Sequence, residues 1–336
     1  MGDLHGSGLP LGGTGLTVES YADFLAREYL GDYLRAGGAA VRFVVTGDPT
    51  VGQRWHETLR STAGQGGYLH VAVDAAHARV HMVDSVYAAV ARAVDWPALA
   101  RAHVRRAWEA VDLPATDAES LTVEAVAAHH GVDVREARRT IRRRLERVIL
   151  NDDSLAREFR VAALRLCQAE LVTGDVTSAE RDALIAWLRM EPVGMRVLRS
   201  AGVVSRVSRH NARAMLLSVA EWRWVALGAG LVLDLDLTRL AMARRPPVEQ
   251  RDGFYYSKAA VLDAYEVLRQ LLDGMDQLRG SLVAVTVPAD LLIDEVRGIP
   301  AYAALHLRVV DEVRDRRRAN PFAALVRLET RMEAVP

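Results

Sequence analysis

The sequence predicts an α/β fold, a parallel sheet interrupted by a large helical insertion, and three observations predict it. Near the start, Val41-Arg42-Phe43-Val44-Val45, a glycine, a helical stretch around Gly52 to Ala63, and Tyr68 to Val73 follow one another. Strand, glycine turn, helix and strand in that order is the rhythm of a parallel sheet. From His81 to about Leu217 the pattern is almost purely helical. Strand-like runs then return at Val225 to Leu237, Ser281 to Val287 and Ala324 to Leu328. The layout read from these is a flexible tail at 1–17, an α/β domain in two halves (18–110 and 216–336), and a helical insertion at 111–215.

Each element has its own local reason. Residues Met1 to Thr17 hold six glycines and little that packs. From Val18 to Ala36, residues Tyr21, Phe24, Leu25, Tyr29 and Leu30 recur at helical spacing, and Gly37-Gly38 ends the helix. The Val41 to Val45 run is too short for a helix and rich in β-branched residues, so it reads as a buried strand ending at Gly47. Ser257 to Asp276 is amphipathic, carrying Val261, Leu262, Tyr265, Leu268 and Leu272 on one face.

Composition bounds the function. The 336 residues carry 43 basic and 43 acidic side chains, so no net field draws in nucleic acid or an anionic membrane. The single cysteine, Cys167, excludes an internal disulfide framework and a four-cysteine zinc site. Lacking an apolar run long enough to span a bilayer and a basic-then-apolar leader, the chain reads as cytoplasmic, with no membrane partner. Lys258 is the only lysine; the other basic residues are arginine. Any chemistry that needs a lysine must use Lys258 or do without.

The sharpest constellation runs from Phe43 to Arg54. A phosphate-binding loop reads G-x-x-x-x-G-K-[ST] between a buried strand and a helix; its backbone N–H groups cradle phosphates, its lysine reaches the outer ones, and its hydroxyl holds magnesium. Gly47 and Gly52 have that spacing, but Gln53 stands at the lysine position and Arg54 at the hydroxyl position. The spacing fits an ancestral phosphate loop and equally a tight strand-to-helix turn. A second strand, Gly230-Leu231-Val232-Leu233-Asp234-Leu235-Asp236-Leu237, ends in two aspartates placed as a magnesium-holding acid would be, yet Leu237 stands where a water-orienting glutamate belongs. Thr286, on the Ser281 to Val287 strand, sits where a residue sensing the outermost phosphate would lie.

These residues, with Tyr255-Tyr256-Ser257-Lys258-Ala259-Ala260-Val261-Leu262-Asp263-Ala264-Tyr265-Glu266-Val267-Leu268-Arg269-Gln270, Ala183-x-x-x-Trp187-Leu188-Arg189, and Gly298-Ile299-Pro300-x-Tyr302-x-Ala304-Leu305-x-x-Arg308-Val309 before Asn320-Pro321, give a chain that resembles the ATP-binding proteins of bacteriophage-exclusion (BREX) systems, P-loop proteins of the AAA+/STAND kind. The resemblance covers most of residues 20 to 330. It implies a P-loop NTPase sheet and a nucleotide site at Gly47, Asp48, Gly52, Gln53, Arg54, Asp236 and Thr286. It also implies an arginine at a subunit boundary, Arg308. Members normally keep the full lysine and Asp-Glu motifs; this chain departs at Gln53, Arg54 and Leu237. Losing those groups removes most of the electrostatic stabilisation that phosphoryl transfer depends on.

The expectation is therefore a pseudo-ATPase with no catalytic residue, a scaffold or regulatory subunit of an anti-phage or related conflict system. Its cofactor is none, or weakly bound ATP or ADP, and Asp234 or Asp236 is the ligand if magnesium binds. Its partners are a paralogous ATPase, other defence subunits or a second copy of itself. Two alternatives stand beside this one. The first is an active ATP-binding protein with an atypical phosphate loop.

The second alternative is a DNA-binding regulator. Residues 121–147 have the cadence of a helix-turn-helix around Ala127 and Gly131, and the second helix carries Arg138, Arg139, Arg142 and Arg143. The same arginines also suit a helical hairpin with a solvated face, paired to Glu136 and Glu146 at helical spacing. His129-His130 point apart on a helix and make no metal site, Cys167 reads as a core thiol, and Arg314 to Arg318 reads as a solvated charge run.

Overall fold

A computed structural model of the chain describes residues 15–116, 121–309 and 320–329. They divide into two compact units. The first takes the chain up to Val86, Leu231–Asp276 and the residues from Gly280 onward; the second takes Tyr87–Gly230 with Gln277–Arg279.

The first unit opens with β1 (Leu16–Thr17) and α1 (Val18–Leu25), whose Thr17 cap accepts from Ser20 N; α1 runs on into a π-helical stretch, Ala26–Tyr33. Then come β2 (Ala39–Thr46), α2 (Pro49–Gln65) and β3 (Leu69–Asp74). The second unit begins within α3 (Val83–Ala93) and continues through α4 (Trp96–Glu109), α5 (Val123–His130), α6 (Val134–Leu150), α7 (Arg157–Glu170), α8 (Ser178–Leu188), α9 (Met195–Ser200) and α10 (Ala212–Leu227). Back in the first unit follow β4 (Leu231–Asp236), α11 (Lys258–Asp273), β5 (Ser281–Pro288), α12 (Asp290–Ile293), α13 (Ala303–Val309) and β6 (Leu325–Glu329).

All strand pairs are parallel, in the order β1-β6-β2-β5-β4-β3. This is the predicted parallel α/β sheet, of P-loop NTPase-like form. Strands buried on both faces need near-continuous apolar side chains, which is what Val44, Val45, Val283, Val285, Leu233 and Leu235 supply. From β2 the chain crosses to the β3 side, and from β5 it crosses to β6 on the other side, so the winding reverses between β2 and β5. Ligand crevices of open parallel sheets lie at such a reversal, outside the carboxyl ends of the strands.

In the second unit, Trp96, Phe159 and Trp222 form an aromatic cluster in the core, with Phe159 and Trp222 centroids 5.7 Å apart. Cys167 is buried there, and burial pushes its thiol well above the ordinary range, as befits a core thiol.

The structure corrects four boundaries. Leu16 and Thr17 are not tail: they pair with Leu328 and Glu329 as an edge strand. The helix after β2 starts at Pro49, three residues before Gly52, because Asp48 caps it and Pro49 already has helical φ. Val225 to Leu227 close α10 and are not strand. The helical unit reaches beyond 111–215 at both ends. Arg314 to Arg318 lie outside the described residues.

Candidate functional site

Only Gly47 and Asp48 link β2 to α2. The Asp48 carboxylate accepts from Thr50 N at 2.8 Å and Val51 N at 3.0 Å, and Gly52 N donates to Asp48 O at 3.2 Å. A bond from the Thr50 hydroxyl, then one from Val51 N, holds this carboxyl below the usual carboxylate range. The two orphan N–H groups that would greet a phosphate at a helix N-terminus are thus satisfied by the chain's own carboxylate. Neither glycine is required by space. A Cβ at Gly47 would meet nothing, and one at Gly52 would make ordinary contact with Thr46 Oγ1 at 3.6 Å.

The carboxyl ends of β2 and β5 frame a cleft of roughly 600 Å³ at the winding reversal. Of the residues expected to bind nucleotide, Gly47, Asp48, Gly52, Gln53, Asp236 and Thr286 line it. Two do not. Arg54 pairs with Glu19 across to α1. The Arg308 guanidinium is held by Asp273, its Nε donating at 2.6 Å, within a surface network that includes Arg269, Glu266 and Tyr302. Gln53 donates along its own helix to Glu57 at 3.1 Å. Lys258 is exposed at the first turn of α11 and is not among the cleft walls, so the lone lysine makes no phosphate contact there.

The acidic end of the cleft holds what the sequence did not announce. His56, on α2, donates through Nδ1 to Asp234 Oδ2 at 2.8 Å, and its Nε2 lies 3.5 Å from Asp236 Oδ2. His70, on β3, brings Nε2 to 3.2 Å from the same Asp234 oxygen. Burial alone would lower the His56 pKa; the bonds and charges of Asp234 and Asp236 outweigh it and push it up to about 10. At neutral pH His56 is therefore an imidazolium fixed between two carboxylates. Asp236 is depressed below the usual range: burial opposes this, and bonds from His56 and Thr238 prevail. Asp234 Oδ1 and Thr286 Oγ1 are buried, each without a hydrogen-bond partner among the described residues.

These residues do not fit a magnesium-bound triphosphate. The helix terminus is capped by Asp48, positions 53 and 54 lack lysine and hydroxyl, and both β4 aspartates already face a cation. Among the described residues, no group of three or more His, Cys, Asp or Glu side chains is arranged to hold a metal ion. Among the polar groups the cleft offers a ligand are the Thr286 hydroxyl on its floor and the Arg60 guanidinium on its wall.

In the second unit, Thr122 and Asp133 cap α5 and α6, and Gly131 turns between them at φ 64°, a left-handed conformation natural to glycine. All four arginines are exposed; Arg138 is paired with Asp175 at 3.0 Å and Arg142 with Glu146 at 2.9 Å, whereas Arg139 and Arg143 have no ion pair among the described residues.

His56 and His70 went unread in the sequence, although two residues there carried a signal. His70 and Asp234 each interrupt an otherwise apolar strand, and a polar side chain buried in a parallel sheet needs a buried partner.

A family model, BREX system ATP-binding protein BrxC/D, matches residues 32–334. No curated protein and no solved structure gives a significant match.

Proposed function

The chain belongs to the family of BREX system ATP-binding proteins BrxC/D, and on that premise we propose that it is a non-hydrolysing ATPase-like subunit that scaffolds or regulates a multi-component defence system. The observation that carries this reading is the His56 imidazolium held between Asp234 and Asp236. In a hydrolysing P-loop enzyme such an acid helps to hold magnesium against the phosphates. Here an internal side chain supplies that positive charge at neutral pH, and it carries no exchangeable coordination sites.

The phosphate end supports the same reading. Asp48 puts a carboxylate where phosphate oxygens would accept backbone N–H bonds, and like charges repel there. The cleft nevertheless stays open, with Thr286 Oγ1 on its floor lacking a hydrogen-bond partner among the described residues, so ATP or ADP has room to bind weakly through contacts other than a phosphate cradle. Its site is Gly47, Asp48, Gly52, Gln53, Asp236 and Thr286, and no residue acts as a catalyst. The protein works through contacts with other defence subunits or with another copy of itself. No helix among the described residues is long and apolar enough to cross a membrane.

The test is titration calorimetry with ATP and ADP, with and without magnesium, beside a phosphate-release assay. Weak binding that magnesium does not change, with turnover at background, is the expected result. Magnesium-dependent hydrolysis that Asp236→Asn abolishes would overturn the proposal.

A further inference from the structure

The helical unit carries a feature that the nucleotide cleft does not use. Helix α6 holds seven arginines against two glutamates in 17 residues, in a chain whose charges balance overall. Its apolar side is consumed: Ala137, Ile141, Leu145 and Ile149 are buried, and α5 and α7 pack on it. Of the remaining arginines, Arg138 and Arg142 form a flank neutralised by Asp175 and Glu146. Arg144 is half-buried, and the other four separate from that flank. Arg135, Arg139, Arg143 and Arg147 recur every four residues, all are exposed, and none has an ion pair among the described residues. At 1.5 Å rise per residue their steps are about 6 Å, and the row runs about 18 Å along the face opposite the buried one.

We propose that this row is a docking surface for duplex DNA, with α6 as the helix presented to the major groove. Charge complementarity is the first argument. A line of four guanidinium groups with one carboxylate, Glu136, beside it fits a partner with closely spaced anions, and a duplex presents one negative charge per about 1.7 Å of axis. Guanidinium forks also match phosphate oxygens in shape. The second argument is local architecture. Two capped helices joined through the left-handed Gly131 leave the N-terminal part of the second helix exposed, which is how a helix-turn-helix offers its reading helix to a groove about 12 Å wide. Asp133 does not oppose this, because its carboxylate is spent on Arg135 N and Glu136 N.

The surface rests on a different unit from the nucleotide cleft, so it stands whether or not ATP binds. Four phosphate contacts predict an affinity that falls with a log–log salt slope of about −3.6, roughly a hundredfold between 50 and 200 mM salt. The experiment is fluorescence anisotropy of the full chain with a labelled 24-base-pair duplex of random sequence over that salt range. The variants are Arg139→Gln with Arg143→Gln, and Arg138→Gln with Arg142→Gln. All four positions are exposed, and circular dichroism confirms that each variant keeps its helix. The expected result is that the 139/143 pair weakens binding at least tenfold at 100 mM salt and lowers the slope by about 2, while the 138/142 pair changes both far less. Three results would overturn the proposal: no duplex binding at 50 mM salt, equal losses from the two pairs, or polyglutamate competing as well as unlabelled duplex.

Discussion

His56 Nδ1 lies 2.8 Å from Asp234 Oδ2, joining the helix that follows β2 to the middle of β4 across 178 residues of sequence. This contact ties together the two segments from which a P-loop enzyme builds its phosphate and metal sites, and it does so with a charge of the chain's own. Because the pair is largely buried, losing one member leaves the other charge stranded. His56→Gln should destabilise the protein by about 3 kcal/mol at neutral pH.

The sign of its pH dependence follows from the raised pKa. His56 in the folded chain titrates near 10, against an ordinary value of 6.5. Its stabilisation is fully present below 6.5 and fades as pH rises through 10. Urea unfolding at pH 6, 8 and 10 should show wild type losing stability on the alkaline side, with a flatter alkaline limb in His56→Gln. Parallel limbs would mean that the imidazolium does not form.

His103 works in the opposite direction in the helical unit. It is buried, accepts the indole N–H of Trp222 at 3.2 Å, and is lowered to about 4, chiefly by burial and then by Arg106 and Arg144. Its folded pKa lies below its unfolded one, so the unfolded chain takes up a proton that the folded chain refuses. That stabilisation is complete above 6.5 and is lost as pH falls from 6.5 towards 4. Tryptophan fluorescence during acid titration should report this loss, and His103→Gln, which keeps an acceptor, should shift the transition to lower pH.

Restoring the phosphate lysine should not be sufficient on this backbone. Gln53→Lys with Arg54→Thr puts a charge and a hydroxyl on α2, but Asp48 still holds the Thr50 and Val51 N–H groups. Adding Asp48→Gly frees both donors and removes the opposing charge, and glycine is a tolerated cap that costs only a few tenths of a kcal/mol. Calorimetry should find little gain in ATP affinity for the double variant and at least tenfold for the triple. An equal gain from the double variant alone would show that the cap does not block the site.

Much of the sheet was legible because its strands are written as apolar, β-branched runs bounded by glycine, and β2, β3, β5 and β6 fall within a residue or two of where those runs lie. β1 was not legible, since two residues have no periodicity and its partner, β6, is more than 300 residues away. The start of α2 was written in Asp48-Pro49, a cap followed by a first-turn proline, but the glycine spacing drew attention to Gly52 instead. The His56–Asp234 contact and the Arg308–Asp273 pair depend on which elements the topology makes neighbours. Spacing along the chain carries no record of that.

Gly52 tests what kind of turn this is. In a phosphate loop the second glycine lets backbone approach the ligand, and a side chain there would intrude. In this chain Gly52 lies inside the first turn of α2, its amide bonded to Asp48 O, and a Cβ would sit 3.6 Å from Thr46 Oγ1 in ordinary contact. Its φ is not among the positive values, so alanine fits the backbone as it stands. Glycine within a helix costs about 0.5–1 kcal/mol relative to alanine, through the freedom it loses on folding. Gly52→Ala should therefore raise stability by about that amount, read as a higher urea midpoint with an unchanged slope. It should also leave ATP affinity where it was in wild type. A destabilised variant, or one whose nucleotide binding collapses, would return the segment from Gly47 to Arg54 to the status of a working phosphate loop.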